Sequence, residues 1–174
     1  MSLFPDPRRI VTGHDANGNA IVLKDSNIPC VPTPLKANFA VLWETHQFPA
    51  NNEGDEDPVE RETSSLANDK GLVLRVVDFP PHTDTLVHRT VSLDFGIVFQ
   101  GEIDCTLDNG VVVHLKPGDT CVQRGTVHKW TNNGSVPTRV YFILTAAEPI
   151  KIDGKLLGNH GFRDDEVATG GVNE

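Results

Sequence analysis

His88, Asp94 and His128 are the side chains in this sequence whose types and spacing could do chemistry together. The first two stand in HRTVSLDFGIVFQG, residues 88–101. On an extended strand alternate residues share a face, so His88 and Thr90 point the same way, and after a short turn Asp94 returns to that face, followed by Gly96 and Val98. The third stands in GDTCVQRGTVHKWTN, residues 118–132, where a Pro-Gly-Asp turn, a short apolar strand and an Arg-Gly break lead into His128, Trp130 and Asn132 at period two. Two imidazoles and one carboxylate facing one cavity are the donor set of a 2-His-1-carboxylate centre, with positions left open for substrate or dioxygen. Without a metal the same groups serve as general acid and base, because imidazole titrates near neutrality and a buried carboxylate beside it can be tuned. Both readings stand: one divalent ion, with zinc, iron, manganese and nickel not separable by ligand type, or none.

The elements that must position these groups are strands. LVLRVVDF (72–79), LVHRT (86–90), LDFGIVFQG (93–101), EIDCTLD (102–108), VVVHL (111–115), DTCVQ (119–123), HKWTN (128–132) and TRVYFILTA (138–146) follow at close intervals, separated by Gly, Pro and Asn turns. Eight such strands argue a closed double sheet of jelly-roll type, which removes exposed sheet edges.

His88, Asp94 and Gly101, and then Gly118, His128 and Asn132, resemble the two motifs of the cupin superfamily. The first motif reads G-x5-H-x-H-x3,4-E-x6-G in general form and the second G-x5-P-x-G-x2-H-x3-N. Here His82 stands at the leading glycine, Thr90 at the second histidine, and Arg124-Gly125 makes a break one residue shorter than the pattern. The resemblance covers about residues 70–146. HRTxSLDxG with VQRGTxHxW is similar to small single-domain cupins encoded with fungal and bacterial secondary-metabolite pathways. It implies an all-β double-stranded β-helix (jelly-roll) barrel with added N-terminal strands, and His88, Asp94 and His128 as metal ligands and catalytic groups. It also implies that Thr90 in place of a histidine removes a ligand that oxygenase members use.

At 174 residues the chain is one domain's worth, with N-terminal strands and an acidic loop at 1–69, the barrel at 70–146 and a polar C-terminal segment at 147–174. The formal charge of −9 argues against nucleic acid. No apolar run approaches the roughly 18 residues that span a bilayer. MSLFPDPRR lacks the apolar core of a signal peptide, so a cytoplasmic protein is expected. Cys30, Cys105 and Cys121 are an odd count without paired spacing and read as reduced thiols, although Cys121 could line the cavity. RRIVTGHDANGNAIVLKD (8–25) reads as a hairpin turning at Asn17-Gly18, and ANFAVLWET (37–45) as a strand whose Trp43 is either core or a cap on the pocket mouth. Residues 47–70, with Glu53, Asp55, Glu56, Asp57, Glu60, Glu62 and Asp69, read as a long polar loop with a solvated charged face. A short helix or turn is expected around 150–157, with fraying beyond.

Other residues carry two readings each. Arg124, at the entrance to the His128 strand, either holds a substrate carboxylate or makes a structural bridge. Trp130 faces inward and offers its flat surface to an aromatic ligand, or simply fills the barrel. Thr90 lines the cavity, whereas His82 and His114 read as surface histidines, His46 and His160 carry no role, and Arg89 turns away from the interior. The expected function is a lyase or isomerase of decarboxylase or dehydratase type acting on an aromatic or polyketide-like metabolite. The alternatives are a metal-dependent dioxygenase and a non-enzymatic small-molecule-binding cupin. The expected partners are a small-molecule substrate and a second copy of the chain in a homodimer.

Overall fold

Apolar alternation with frequent turn residues gives a molecule made of strands, described by a computed structural model at residues 2–60 and 65–162. In chain order they are β1 (Arg8–His14), β2 (Ala20–Asn27), β3 (Val31–Pro32), β4 (Asn38–Thr45), β5 (Leu72–Phe79), β6 (Thr83–Asp84), β7 (Ser92–Gln100), β8 (Ile103–Leu107), β9 (Val112–Leu115), β10 (Thr120–Arg124), β11 (His128–Asn132), β12 (Thr138–Ala146), β13 (Lys151–Ile152) and β14 (Lys155–Leu156). A 3-10 turn at Pro58–Glu60 is the helical content among the described residues, and no helix there is long and apolar enough to cross a membrane.

Two sheets face each other. One has six strands in the order β10-β7-β12-β5-β4-β3, the other four in the order β6-β11-β8-β9, while β1-β2 and β13-β14 are separate hairpins. Every pairing is antiparallel, so the N-terminal strands β3 and β4 extend the same sheet that β5, β7, β10 and β12 build. The main core lies between the sheets: Phe39, Val77, Phe79, Val98, Val140 and Phe142 from one meet Ile103, Cys105, Leu115 and Trp130 from the other. A second cluster, with Ile28, Cys30, Ala40, Leu42, Val59 and Val76, covers the opposite face of β4 and β5. β5 is therefore buried on both faces, which explains its nearly unbroken apolar run.

Charged pairs fasten the N-terminal segment to this frame. Arg139 on β12 donates from Nε and Nη2 to the Asp78 carboxylate of β5 at 2.6 and 2.7 Å, and from Nη1 to the Pro5 carbonyl at 2.9 Å. That hydrogen bonding to Asp78 raises the Arg139 pKa. Arg9 on β1 grips Asp57 through two hydrogen bonds, one of 2.8 Å, and both side chains are buried. The acidic loop is thus solvated at Glu53, Asp55 and Glu56 but not at Asp57, whose charge is matched inside; Glu62 lies outside the described residues.

Two local expectations change and a third is narrowed. LVHRT is not a strand: His88 bridges to His128 and the adjacent Arg89 to His160, so neighbouring residues take different partners and no ladder grows. Of the short helix or turn expected near 150–157, the structure shows the turn, in a hairpin at Asp153 and Gly154, both at positive φ. Trp43 lines a surface groove with the 51–57 segment, away from the barrel mouth. The expected fraying from residue 163 onward falls outside the described residues.

Candidate active site

β7 presents Ser92, Asp94, Gly96 and Val98 to the interior on alternate positions, with the intervening residues less buried. The His88–His128 bridge sets the other side. Each backbone N–H donates to the partner's carbonyl at 2.9 Å, and the two imidazole centroids lie 4.4 Å apart. Nδ1 of His88 lies 3.2 Å from the Leu86 carbonyl and Nδ1 of His128 lies 2.9 Å from that of Thr126. A carbonyl only accepts, so each neutral ring carries its proton on Nδ1 and keeps its lone pair on Nε2. Burial lowers both pKa values; that of His128 falls to about 3, with the neighbouring His88 as the next cause. Both rings are neutral at physiological pH.

Asp94 shares this interior at 4% exposure. Its Oδ2 accepts from the Thr90 hydroxyl at 3.2 Å, which in turn accepts from Ser92 at 2.7 Å, while Oδ1 is buried without a partner. Burial pushes the Asp94 pKa up to about 6, against the hydroxyls and the charge of Arg75, which favour the ionised form. Trp130 sets its ring edge-on between His128, 6.1 Å away, and Phe142, 5.3 Å away. Gly96 permits that packing, since a Cβ there would meet the Phe142 ring at 2.8 Å.

His88, Thr90, Asp94, His128 and Trp130 therefore line one cavity, as their spacing implied. The cavity measures about 70 Å³, and most of its wall is apolar, with Phe39, Val77, Phe79, Phe142 and Leu144 among the lining. That is well below the roughly 300–1,000 Å³ of pockets that take drug-sized ligands.

The three-ligand metal set is not closed. Among the described residues no three His, Cys, Asp or Glu side chains gather closely enough to hold an ion, because Asp94 is turned into its hydroxyl chain while the imidazoles face each other. Arg124 is a correction. It is exposed at the end of β10 and lines an outer groove with Gly125 and Ile150, because inward positions on that strand are Cys121 and Gln123 and the next residue faces out. Cys121 packs against the core beside Cys105, and the interaction with that thiol lowers its pKa.

Gln123 and Arg75 are polar lining residues that the sequence reading did not single out. Gln123, 4% exposed, follows from the alternation that excludes Arg124. Arg75, 1% exposed, is the lone cation in LVLRVVDF; burial lowers its pKa to about 10, so it stays charged at neutral pH.

Residues 75–144 match the family model described as "Cupin domain". A cupin-domain-containing oxidoreductase, fogC of Aspergillus ruber, is 36% identical over 157 residues, covering 86% of this chain and 77% of its own. The chain belongs to the cupin family. The Phomopsin biosynthesis cluster protein C' of Diaporthe leptostromiformis is 39% identical over 163 residues, 87% of this chain and 85% of that one. Among solved structures, the Cnp3 cupin domain of Schizosaccharomyces pombe shares the fold at a TM-score of 0.50 and 17% identity, covering 82% of this chain and 89% of that one. Within the cupin frame, Thr90 stands at the second histidine of the first motif and works as a hydroxyl donor to Asp94. Asn132 closes the second motif as a structural knot: its amide donates to the carbonyls of Phe79, Pro80 and Val136 and its oxygen accepts from the Gly134 N–H.

Proposed function

We propose that this cupin is a lyase or isomerase, of decarboxylase or dehydratase type, that moves protons on a small metabolite held in the barrel. The observation that carries the reading is the Asp94 carboxyl, buried, with one oxygen unpartnered in the cavity shared with two neutral imidazoles. A carboxyl titrating near 6 is poised to give or take a proton at working pH. Ionised Asp94 removes a proton from a carbon beside a carbonyl. Its new O–H then returns that proton to a second carbon, which shifts a double bond, or to a departing hydroxyl, which leaves as water. In a decarboxylation, protonated Asp94 instead supplies the proton that quenches the carbanion left by carbon dioxide. The Nε2 atoms of His88 and His128 accept hydrogen bonds from substrate hydroxyls and fix the orientation. The cavity volume favours a substrate of few heavy atoms over a large aromatic one.

Similarity to proteins named cupin-domain-containing oxidoreductases, such as fogC, supports a second reading, an oxidoreductase. Incubation of the protein in deuterium oxide with a panel of small carbonyl compounds and acids, followed by proton NMR, separates the two. The proton-transfer reading expects deuterium to enter next to the carbonyl without oxygen uptake, undiminished by a chelator and lost in Asp94→Asn. Turnover that consumes oxygen and requires added iron, manganese or nickel would establish the oxidoreductase instead.

A further inference from the structure

Arg75 presents an unexplained charge in the cavity wall. Its side chain is 1% exposed and lines the same space as Asp94 and the two imidazoles. Nη2 is used, donating to the backbone carbonyls of Ser65 at 3.0 Å and Leu66 at 2.8 Å, and the guanidinium carbon lies 5.4 Å from the centre of the Phe39 ring. Nε and Nη1 are buried and have no partner. Glu44 and Asp94 act on this charge through space, yet neither is hydrogen-bonded to those two nitrogens. A purely structural arginine, tying β5 to the 65–66 backbone, would account for Nη2 alone. Buried charges are costly unless paired and hydrogen-bonded, so a buried cation with idle donors is suited to take a ligand oxygen. The matching idle acceptor, Oδ1, belongs to Asp94, which lines the same cavity.

We propose that Arg75 is the anchor for the carboxylate of a small organic acid whose hydrocarbon part lies against Phe39, Val77, Phe142 and Leu144. This rests on the reading of the cavity as the reaction site and names its substrate class, a short monocarboxylic acid. A charge-assisted bond from a guanidinium to a carboxylate in dry surroundings is stronger than one to a neutral amide. The apolar wall adds affinity with each methylene buried. Holding the acid on Arg75 leaves the rest of the molecule in the space shared by Asp94 and the imidazoles.

Calorimetric titration of the full chain with propanoate, butanoate, propanamide and chloride tests the assignment without requiring turnover. Propanoate is expected to bind at least about tenfold tighter than propanamide, and butanoate about fourfold tighter than propanoate. Arg75→Met, checked for folding by circular dichroism, should lose the preference for acid over amide, and Asp94→Asn should keep it while losing proton exchange. Equal binding of acid and amide by the wild type overturns the anchor whether or not the variant folds, as does a folded Arg75→Met that retains the preference. Chloride binding as tight as butanoate overturns the organic-acid assignment. Failure of the proton-transfer reading looks different: acid preference intact, no deuterium exchange.

Discussion

Asp94 carries the account at the scale of single residues, and its burial has a sign that can be measured. Its folded pKa is raised from 3.8 to about 6, so the folded state favours the protonated form. That contribution to stability is fully present below pH 3.8 and is lost as pH rises through 6; by linkage the ionised group costs about 3 kcal/mol at pH 7.5. Asp94→Asn, read by denaturant unfolding, should be more stable than the wild type at pH 7.5 by up to that amount, with the gap closing toward pH 4. A constant gap across this range would mean that Asp94 is not desolvated. His128 runs the other way. Its pKa is lowered, so its contribution is present above pH 6.5 and lost as pH falls toward about 3. Asp94 on β7 and His128 with Trp130 on β11 were legible because strand alternation is a local rule, whereas His88 and Thr90 lie outside any strand and were placed by the cupin motif they resemble. Strand alternation on β10, with Gln123 inward, leaves Arg124 outside the cavity. Arg75 was illegible because its strand is buried on both faces, and the apolar run around it does not say which side looks into the cavity.

At the scale of elements, the site is held by turns as much as by strands. Asn132 ties the end of β11 to the Phe79–Pro80 backbone after β5 and to the 134–136 turn before β12, through three donated bonds and one accepted bond. Asn132→Ala should lower unfolding free energy by about 2–3 kcal/mol, since it removes one buried and two part-buried carbonyl bonds at once. The same variant should leave the Asp94 titration in place, because its contacts lie at the far end of the strand from His128. Loss below about 0.5 kcal/mol would show that water replaces the amide. Strand order along the chain was readable from Gly, Pro and Asn punctuation, and the hairpin turning near Gly18 followed its turn residues closely. What was not readable was partner choice. His88 and Arg89 pair with different segments, and nothing within five residues of them specifies that. The Arg9–Asp57 pair spans 48 residues, and local pattern cannot reveal it.

For the molecule as a whole, two facing sheets leave an apolar chamber with one polar wall, and the three candidate ligands face it without converging on an ion. The resemblance to cupins fixed the architecture, whereas the donor geometry depends on where Thr90 sends the Asp94 carboxyl, a tertiary detail beyond the motif spacing. In the proposed function the chamber holds an acid–base group, Asp94, in one space with two uncharged imidazoles. The most direct measurement is an NMR titration of the intact protein, following the Asp94 carboxyl carbon and the ring nitrogens of His88 and His128 from pH 4 to 8. The Asp94 midpoint is expected near 6 and both ring midpoints below 6.5, with the proton of each neutral ring on Nδ1. An Asp94 midpoint at the ordinary 3.8, or imidazoles that are charged at pH 6.5, would contradict this reading.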